Sequence, residues 1–592
     1  MTASTAEDRL PDWNLDDLYS GPEAPELERD LQTAGVESRL FAESYKDRLS
    51  LLSGAELAEA IAAFEAILDR VHRVMGYGQL LHAVHTADAE VARFYQTLQE
   101  RVTEITTETL FFTLELNHID DAVLESQLTD PAAARYAPWV RDTRMYRPHQ
   151  LSDDMERLLH EKSVAGRNAW MRLFDETMAH LRCHIDGQEL TLSDTMNRLS
   201  DTDGAVRKSA AEALSVALTD NLRVLAMVTN VLAKDKEIED RWRAYDDPMG
   251  SRNLANQVEP EVVEALVSAV RDNYGDLSHR YYRLKARWMG VEKLNTWDRN
   301  APLPEDSDRR FSWDEARRAV LGAYGEFSPE MAKTAGRFFD DRWIDAAPKP
   351  GKSSGAFSHP LTPSAHPYVL LNYHGKARDV MTLAHELGHG VHQVLAADQG
   401  LLLADTPLTL AETASVFGEM LTFRAMLDAE TDPLRRRVLL AGKVEDMLNT
   451  VVRQIAFHTF ESRVHAERRD GELSVERLAE IWIEVQRESL GPVFEFDDAY
   501  RVFWAYIPHF IHAPFYVYAY AFGDCLVNSL YDVFQGGHEN FQAKYLDMLR
   551  AGGTLRHKEL LAPFGLDASD PDFWKRGLGV ISGFIDELEA SF

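Results

Sequence analysis

The sequence predicts a mainly α-helical chain with one small β element close to its chemistry. Three observations carry that expectation. Apolar residues recur at spacings of three and four over most of the chain. Alternating, β-prone runs are few, and the composition is that of an ordered globular protein, 45% hydrophobic, 10% aromatic and 27% charged.

Residues 55–117 run almost without Gly or Pro, as in AELAEAIAAFEAILDRVHRVM, and read as helix. LRCHIDGQELTL (181–192) places Asp186-Gly187 between two β-prone runs, which predicts a hairpin. Helical periodicity returns over 205–242, 258–288, 313–338, 433–468 and 474–489. Ser312-Trp313-Asp314-Glu315 reads as a capping box opening one of these helices. Residues 345–367 break the pattern with five prolines and the run KSSGAFS, an irregular segment of the kind that carries function. PYVLLNY (367–373) follows as a short strand.

Charge and cysteine content exclude several function classes. With 63 basic and 96 acidic residues the formal charge is −33, so nucleic acid and anionic membrane surfaces are not expected partners. Cys183 and Cys525 cannot build a disulfide framework or a cysteine-based zinc ribbon, and the acidic N-terminus lacks a signal-peptide pattern; both predict a cytoplasmic protein. Residues 502–523 lack any Lys, Arg, Asp or Glu, yet Pro508, Pro514, His509, His512 and four tyrosines predict a buried or site-lining segment rather than a membrane span. No feature fixes an oligomeric state.

His385-Glu386-Leu387-Gly388-His389 fits H-E-x-x-H, on a helix expected over about 378–398. Residues i and i+4 share a helix face, so two imidazoles can converge on one Zn²⁺ at about 2.0–2.1 Å. Glu386, turned away by about 100°, can reach a water instead. Val380, Leu383, Leu387, Val391 and Val394 form an apolar stripe roughly opposite the two histidines, so a pair of core histidines is the poorer explanation. A third ligand is needed. His392 continues the face but lies about 10 Å along the axis from His385, which leaves a substrate contact or a surface position for it. Glu412, 23 positions beyond His389, is the better third ligand, and Glu419 on the same face is placed to orient a ligand histidine.

Taken in order, KSSGAFS, HPYVLLNY, DVMTLAHELGHGVH, AETASVFGEML and IPHF–PFYVYAYAFG resemble oligoendopeptidase F, a branch of the thimet oligopeptidase family of zinc metallopeptidases. DWNLDDLY and SRNLANQVEPEVV extend the resemblance over nearly the whole chain. The resemblance implies a multi-helix clamshell, with zinc at the base of a deep central channel and the small β-sheet near the active site. It divides the chain into an N-terminal helical domain (1–195) and a catalytic domain (196–592). It also implies one Zn²⁺ per chain on His385, His389 and Glu412, Glu386 as general base, and oligopeptide substrates cut internally. His509 and Tyr518 match the family's oxyanion donors, with His512 an alternative to His509. Tyr516, Tyr520, Gly355 and Leu371 are candidate substrate contacts, and the strand YVLLNY is expected to pair with an extended peptide. A zinc exopeptidase trimming C-termini and a peptide binder without turnover are the competing readings; the intact His385, Glu386, His389 and Glu412 set argues against the binder.

Overall fold

Hydrophobic periodicity becomes helix wherever a cap or a proline starts it. Ser312 accepts from the Glu315 N–H, and the Glu315 carboxylate returns the bond to Ser312, so the box read from the sequence opens the Trp313–Phe327 helix. Ser53 does the same with Glu56 for Gly54–Val84. In this computed structural model residues 10–303 and 309–591 are described; the first nine residues, part of the acidic N-terminus, lie outside them.

The long helical stretches are broken where side chains cap backbone amides. The 55–117 run becomes Gly54–Val84, Ala89–Thr109 and Phe111–His118, with Asp88 capping the second. The 313–338 run divides at Ser328, whose hydroxyl caps Pro329–Asp340. Residues 433–468 divide into Pro433–Thr450 and Val452–Arg468. The Asp186-Gly187 hairpin forms as expected: Cys183–Ile185 pairs antiparallel with Gln188–Leu190, and both turn residues have positive φ, 50° and 76°.

Contacts divide the chain into two compact units, each assembled from separate stretches of sequence. The first contains residues up to 147, 309–429 and 534–565. In it the Gly54–Val84 helix packs on Pro25–Tyr45 and Ala89–Thr109, and the Ala377–Ala396 helix packs on Ser415–Ala429. The second contains 148–303, 430–533 and 566–591. Its core is built around the Gly204–Trp242 helix, whose Leu214, Leu218, Leu225 and Val228 meet Phe457, Phe460, Trp482 and Trp504. That helix has the length and hydropathy of a membrane span, but half of its apolar stretch is buried inside the protein. The charge-free 502–523 stretch is no single span either. It holds the end of a 3₁₀ turn, a four-residue helix at His509–His512 and the start of Tyr518–Gln535.

The β element near the chemistry has three strands, and its order corrects one expectation. Tyr368–Leu370, the strand of YVLLNY, is central: Ile344–Asp345 pairs with it in parallel and Phe357–His359 antiparallel. Both its edges are therefore used, and it offers no free edge to a peptide. Leu371 follows suit, with its N–H donating to the Asp345 carbonyl (3.0 Å) and its carbonyl accepting from Lys352 (2.8 Å).

Lys352 organises the irregular segment. Its side chain is fully buried, and its ammonium donates to the Asp345 carboxylate (2.7 Å) and to the carbonyls of Asp345, Ala347 and Leu371. One cation thus ties the 345–355 loop to the strand that ends at Leu370. Substituting Lys352→Met removes the donor these acceptors share and leaves the buried Asp345 carboxylate with the more exposed Lys349 alone (3.3 Å). A destabilisation of ~2–3 kcal/mol is expected, measured by denaturant unfolding.

Candidate metal centre

The H-E-x-x-H helix is Ala377–Ala396, and it is buried on most sides: Val380, Leu383, Leu387 and Val391 face the core as the apolar stripe predicts. Close approach of a second segment then completes the site. A Cβ at Gly388 would lie 2.4 Å from the Ala414 carbonyl oxygen and 2.6 Å from the Ser415 Cα, so only glycine lets the 412–415 turn sit against the helix. That turn carries Glu412. On the other side Tyr324 donates to the Ala384 carbonyl (2.5 Å) and pins the helix one residue before His385.

His385, His389 and Glu412 bring one ligand atom each to within 4.8 Å of one another. Glu412 Oε2 lies 3.3 Å from His385 Nε2 and 3.5 Å from His389 Nε2, and the two rings stand nearly perpendicular, 5.0 Å apart. The other ring nitrogen of His385, Nδ1, lies 3.2 Å from Glu419 Oε2, and the Ala411 backbone lies beside the His389 ring. Both Nε2 atoms therefore face the same point as the Glu412 carboxylate, which the Ser415 hydroxyl orients from 2.6 Å. Two imidazoles and one carboxylate, with His385 and Glu412 steered by outer partners, form the donor set that suits a divalent ion of intermediate softness.

The charge distribution fits the same conclusion. Burial pushes Glu386 up to about 7, with His385 opposing and Glu412 reinforcing that shift. His385 is held well above the ordinary histidine value; burial works against this, and the Glu412 and Glu419 carboxylates overcome it. Burial also resists ionisation of Glu412, but its bonds to His385 bring it down to about 2. Burial takes His389 down to about 4. Three carboxyls around two imidazoles in a buried place need positive charge at their centre, from a proton or from a cation.

Glu386 lies beside the sheet. The Ser358 backbone opposes the upward shift of its carboxyl, and Ser358 is itself held twice by Gln393, hydroxyl to amide oxygen (2.8 Å) and carbonyl from the amide nitrogen (3.3 Å). The sequence did not single out Ser358 and Gln393, and the only hint was their place within GAFS and the H-E-x-x-H helix. Gly355, two residues before this strand, has φ +86°, and no atom lies within 4 Å of where its Cβ would be. His392 is buried rather than on the surface, and burial takes it down to about 4.

The His/Tyr candidates lie in the second unit. Tyr518 is fully buried; its hydroxyl donates to Asn253 (2.8 Å) and accepts from Asn256 (2.9 Å), so it has no proton to offer an oxyanion. His509, Tyr516 and Tyr520 instead form a partly exposed cluster. His509 Nε2 lies 3.3 Å from the Tyr520 hydroxyl, and the Tyr516 and Tyr520 rings are 5.1 Å apart. His512 Nε2 is paired with Asp175 at 2.8 Å, which removes it from the contest with His509.

A helical chain with a His-His-Glu centre and a carboxyl one residue along is the build of a metallopeptidase. The sequence profile of Peptidase family M3 matches residues 198–580, and that of Oligopeptidase F matches 115–182. The chain belongs to peptidase family M3 and is a metalloendopeptidase of the oligoendopeptidase F type. Oligopeptidase PepF of Bacillus subtilis is 25% identical over 98% of this chain and 86% of its own length. Group B oligopeptidase PepB of Streptococcus agalactiae is 27% identical over 98% and 96%. Among solved structures, oligoendopeptidase-F from Enterococcus faecium superposes with a TM-score of 0.71 at 20% identity, covering 96% of this chain and 97% of its own. That likeness speaks for the fold alone.

Gly388→Ala tests the close approach. The added methyl must displace the 414–415 backbone, so a loss of ~1–3 kcal/mol is expected together with weaker metal retention, read by thermal unfolding and elemental analysis.

Proposed function

We propose that this chain hydrolyses internal bonds of short, unfolded oligopeptides, using one Zn²⁺ per chain held by His385, His389 and Glu412. The observation that carries the reading is the convergence of both histidine Nε2 atoms on Glu412 Oε2, with Glu386 beside them. Bound there, the ion would polarise the scissile carbonyl and acidify water to near neutrality. Glu386 is the general base: it takes a proton from the attacking water and returns it to the leaving amine. The Ser358 backbone beside it favours the charged carboxylate that accepts the proton. Glu419 keeps the Nδ1 proton of His385 in place, so Nε2 remains the ligand.

Main-chain contact with the peptide is assigned to the Gly355 N–H, since the Gly355 carbonyl accepts from Asn372 (3.1 Å) and the Ser358 carbonyl accepts from Gln393. We assign oxyanion donation to His509 together with Tyr520 and Tyr516. Burial, with Arg453 and His512 adding to it, lowers the His509 pKa, so near neutral pH this imidazole is an uncharged donor. We place the chemistry in residues 196–592 and give 1–195 an accessory role; the family match over 198–580 supports this. Substrate class rests on the relatives, which are named oligopeptidases. Two buried free thiols support a cytoplasmic location.

Glu386→Gln is expected to keep zinc and lose turnover by ~10²–10⁴-fold on an end-blocked fluorogenic peptide, because the amide cannot accept the proton. Glu412→Ala is expected to lose zinc by elemental analysis. A protein that cuts such peptides at full rate after exhaustive chelation would overturn the reading.

Tyr520→Phe separates the donors from the rest. A fall in kcat of ~10²–10³-fold with KM nearly unchanged is the expected mark of a hydrogen bond made in the transition state.

A further inference from the structure

The segment that carries Tyr516 and Tyr520 is gripped residue by residue from outside. Residues 513–517 link the His509–His512 helix to the one beginning at Tyr518. Within this link the carbonyl of Pro514 accepts from Arg252 Nε (3.2 Å), and the N–H of Phe515 donates to Glu461 Oε1 (3.0 Å). These two groups belong to one peptide unit. A guanidinium at its oxygen and a carboxyl at its nitrogen clamp that plane from opposite sides.

The clamp acts on a turn that the Tyr516 N–H closes onto the Ala513 carbonyl (3.0 Å). Phe515 has φ +59°, a left-handed conformation that a phenylalanine rarely adopts. Its ring is fully buried against His458 and His465, so the strained residue also cannot swing away. Two residues on, Asn253 and Asn256 hold the Tyr518 hydroxyl from both sides. The Arg252 guanidinium lies 5.8 Å over the Tyr516 ring. Arg252 thus meets residues 514 and 516, and Asn253 and Asn256 both meet 518, all three from within SRNLAN, while Glu461 holds 515 from the Val452–Arg468 helix. Tyr516 and Tyr520 are left partly exposed beside His509.

We propose that Arg252, Asn253, Asn256 and Glu461, acting through Pro514–Phe515 and Tyr518, are positioning residues that set the Tyr516 and Tyr520 hydroxyls for the reaction. The proposal rests on the assignment of His509, Tyr516 and Tyr520 as donors. A buried hydroxyl network and a strained non-glycine residue are costly, and such features collect where geometry must be exact to a fraction of an ångström. Glu461 is suited to the task as a neutral group. Burial pushes its carboxyl up to about 8, against the Phe515 N–H and Arg252, so near neutral pH it mostly keeps its proton. Glutamine is then a close replacement that preserves the acceptor.

The test uses the zinc-loaded enzyme and an end-blocked fluorogenic peptide. Tyr518→Phe, which deletes one oxygen, and Glu461→Ala, which removes the acceptor, are each expected to lower kcat ~10–100-fold with KM and bound zinc almost unchanged. Glu461→Gln is expected to restore most of the rate. In a Tyr520→Phe background Tyr518→Phe is expected to cost far less than it does alone, because the positioned donor is already gone. If Glu461→Ala does not fold, Tyr518→Phe carries the test by itself. Full kcat in Tyr518→Phe with only a lower Tm, full additivity in the double variant, or a Glu461→Gln as slow as Glu461→Ala would each overturn the positioning role. Failure of the donor assignment looks different: His509→Ala, Tyr516→Phe and Tyr520→Phe would all keep full kcat, and the positioning proposal would fall with it.

Discussion

The absence of a side chain at Gly388 is the constraint on which the metal centre depends. The Ala414 carbonyl and the Ser415 Cα occupy the space that any Cβ would take, so the two segments meet at backbone distance. Without that approach Glu412 stays short of His385 and His389, and the helix face carries two histidines with nothing to share. With it, Glu412, Ser415 and Glu419 arrive together from one stretch of chain: a carboxylate beside both histidines, the hydroxyl that meets it and a second carboxylate on His385 Nδ1. Tyr324, donating to the Ala384 carbonyl, resists the helix shift that would undo the fit.

The small sheet has a different job from the one its sequence advertises. A β-rich run such as YVLLNY suggests an edge for a peptide, but three strands need a middle one, and the most apolar run takes it. Tyr368, Val369 and Leu370 are fully buried, whereas Phe357–His359 is only half-buried. The outer edge therefore belongs to FSH, and there the Ser358 backbone lies beside Glu386. The sheet thus presents its outer edge to the acid of the H-E-x-x-H helix. Lys352, buried among Asp345 and three carbonyls, keeps that arrangement closed at its other end.

Much of the fold was legible because its signals are local. Caps at Ser312, the Asp186-Gly187 turn and the three-four spacing of apolar residues act within a few neighbours, so the residues themselves decide them. Boundaries within long runs were less legible, since Asp88 and Ser328 break continuous periodicity by side-chain capping that hydropathy does not report. The tyrosines show the limit most plainly. Tyr516, Tyr518 and Tyr520 are chemically identical and two positions apart, and only their surroundings sort them: Asn253 and Asn256 consume the hydroxyl of one and leave the other two beside His509.

By itself, then, the sequence determined the helical class, the pair of histidines on one helix face and the acid beside them, because i and i+4 spacing converts directly into geometry. It also pointed to Glu412 and Glu419, through their spacing and through resemblance to a known family. Only the tertiary structure decided which strand is central, that His392 is buried, that His512 is paired with Asp175 and that the Tyr518 hydroxyl is buried between Asn253 and Asn256. Each of those outcomes depends on a partner hundreds of residues away or on competition for a buried place. Such competition is settled by packing of the whole chain, and no local pattern records its result.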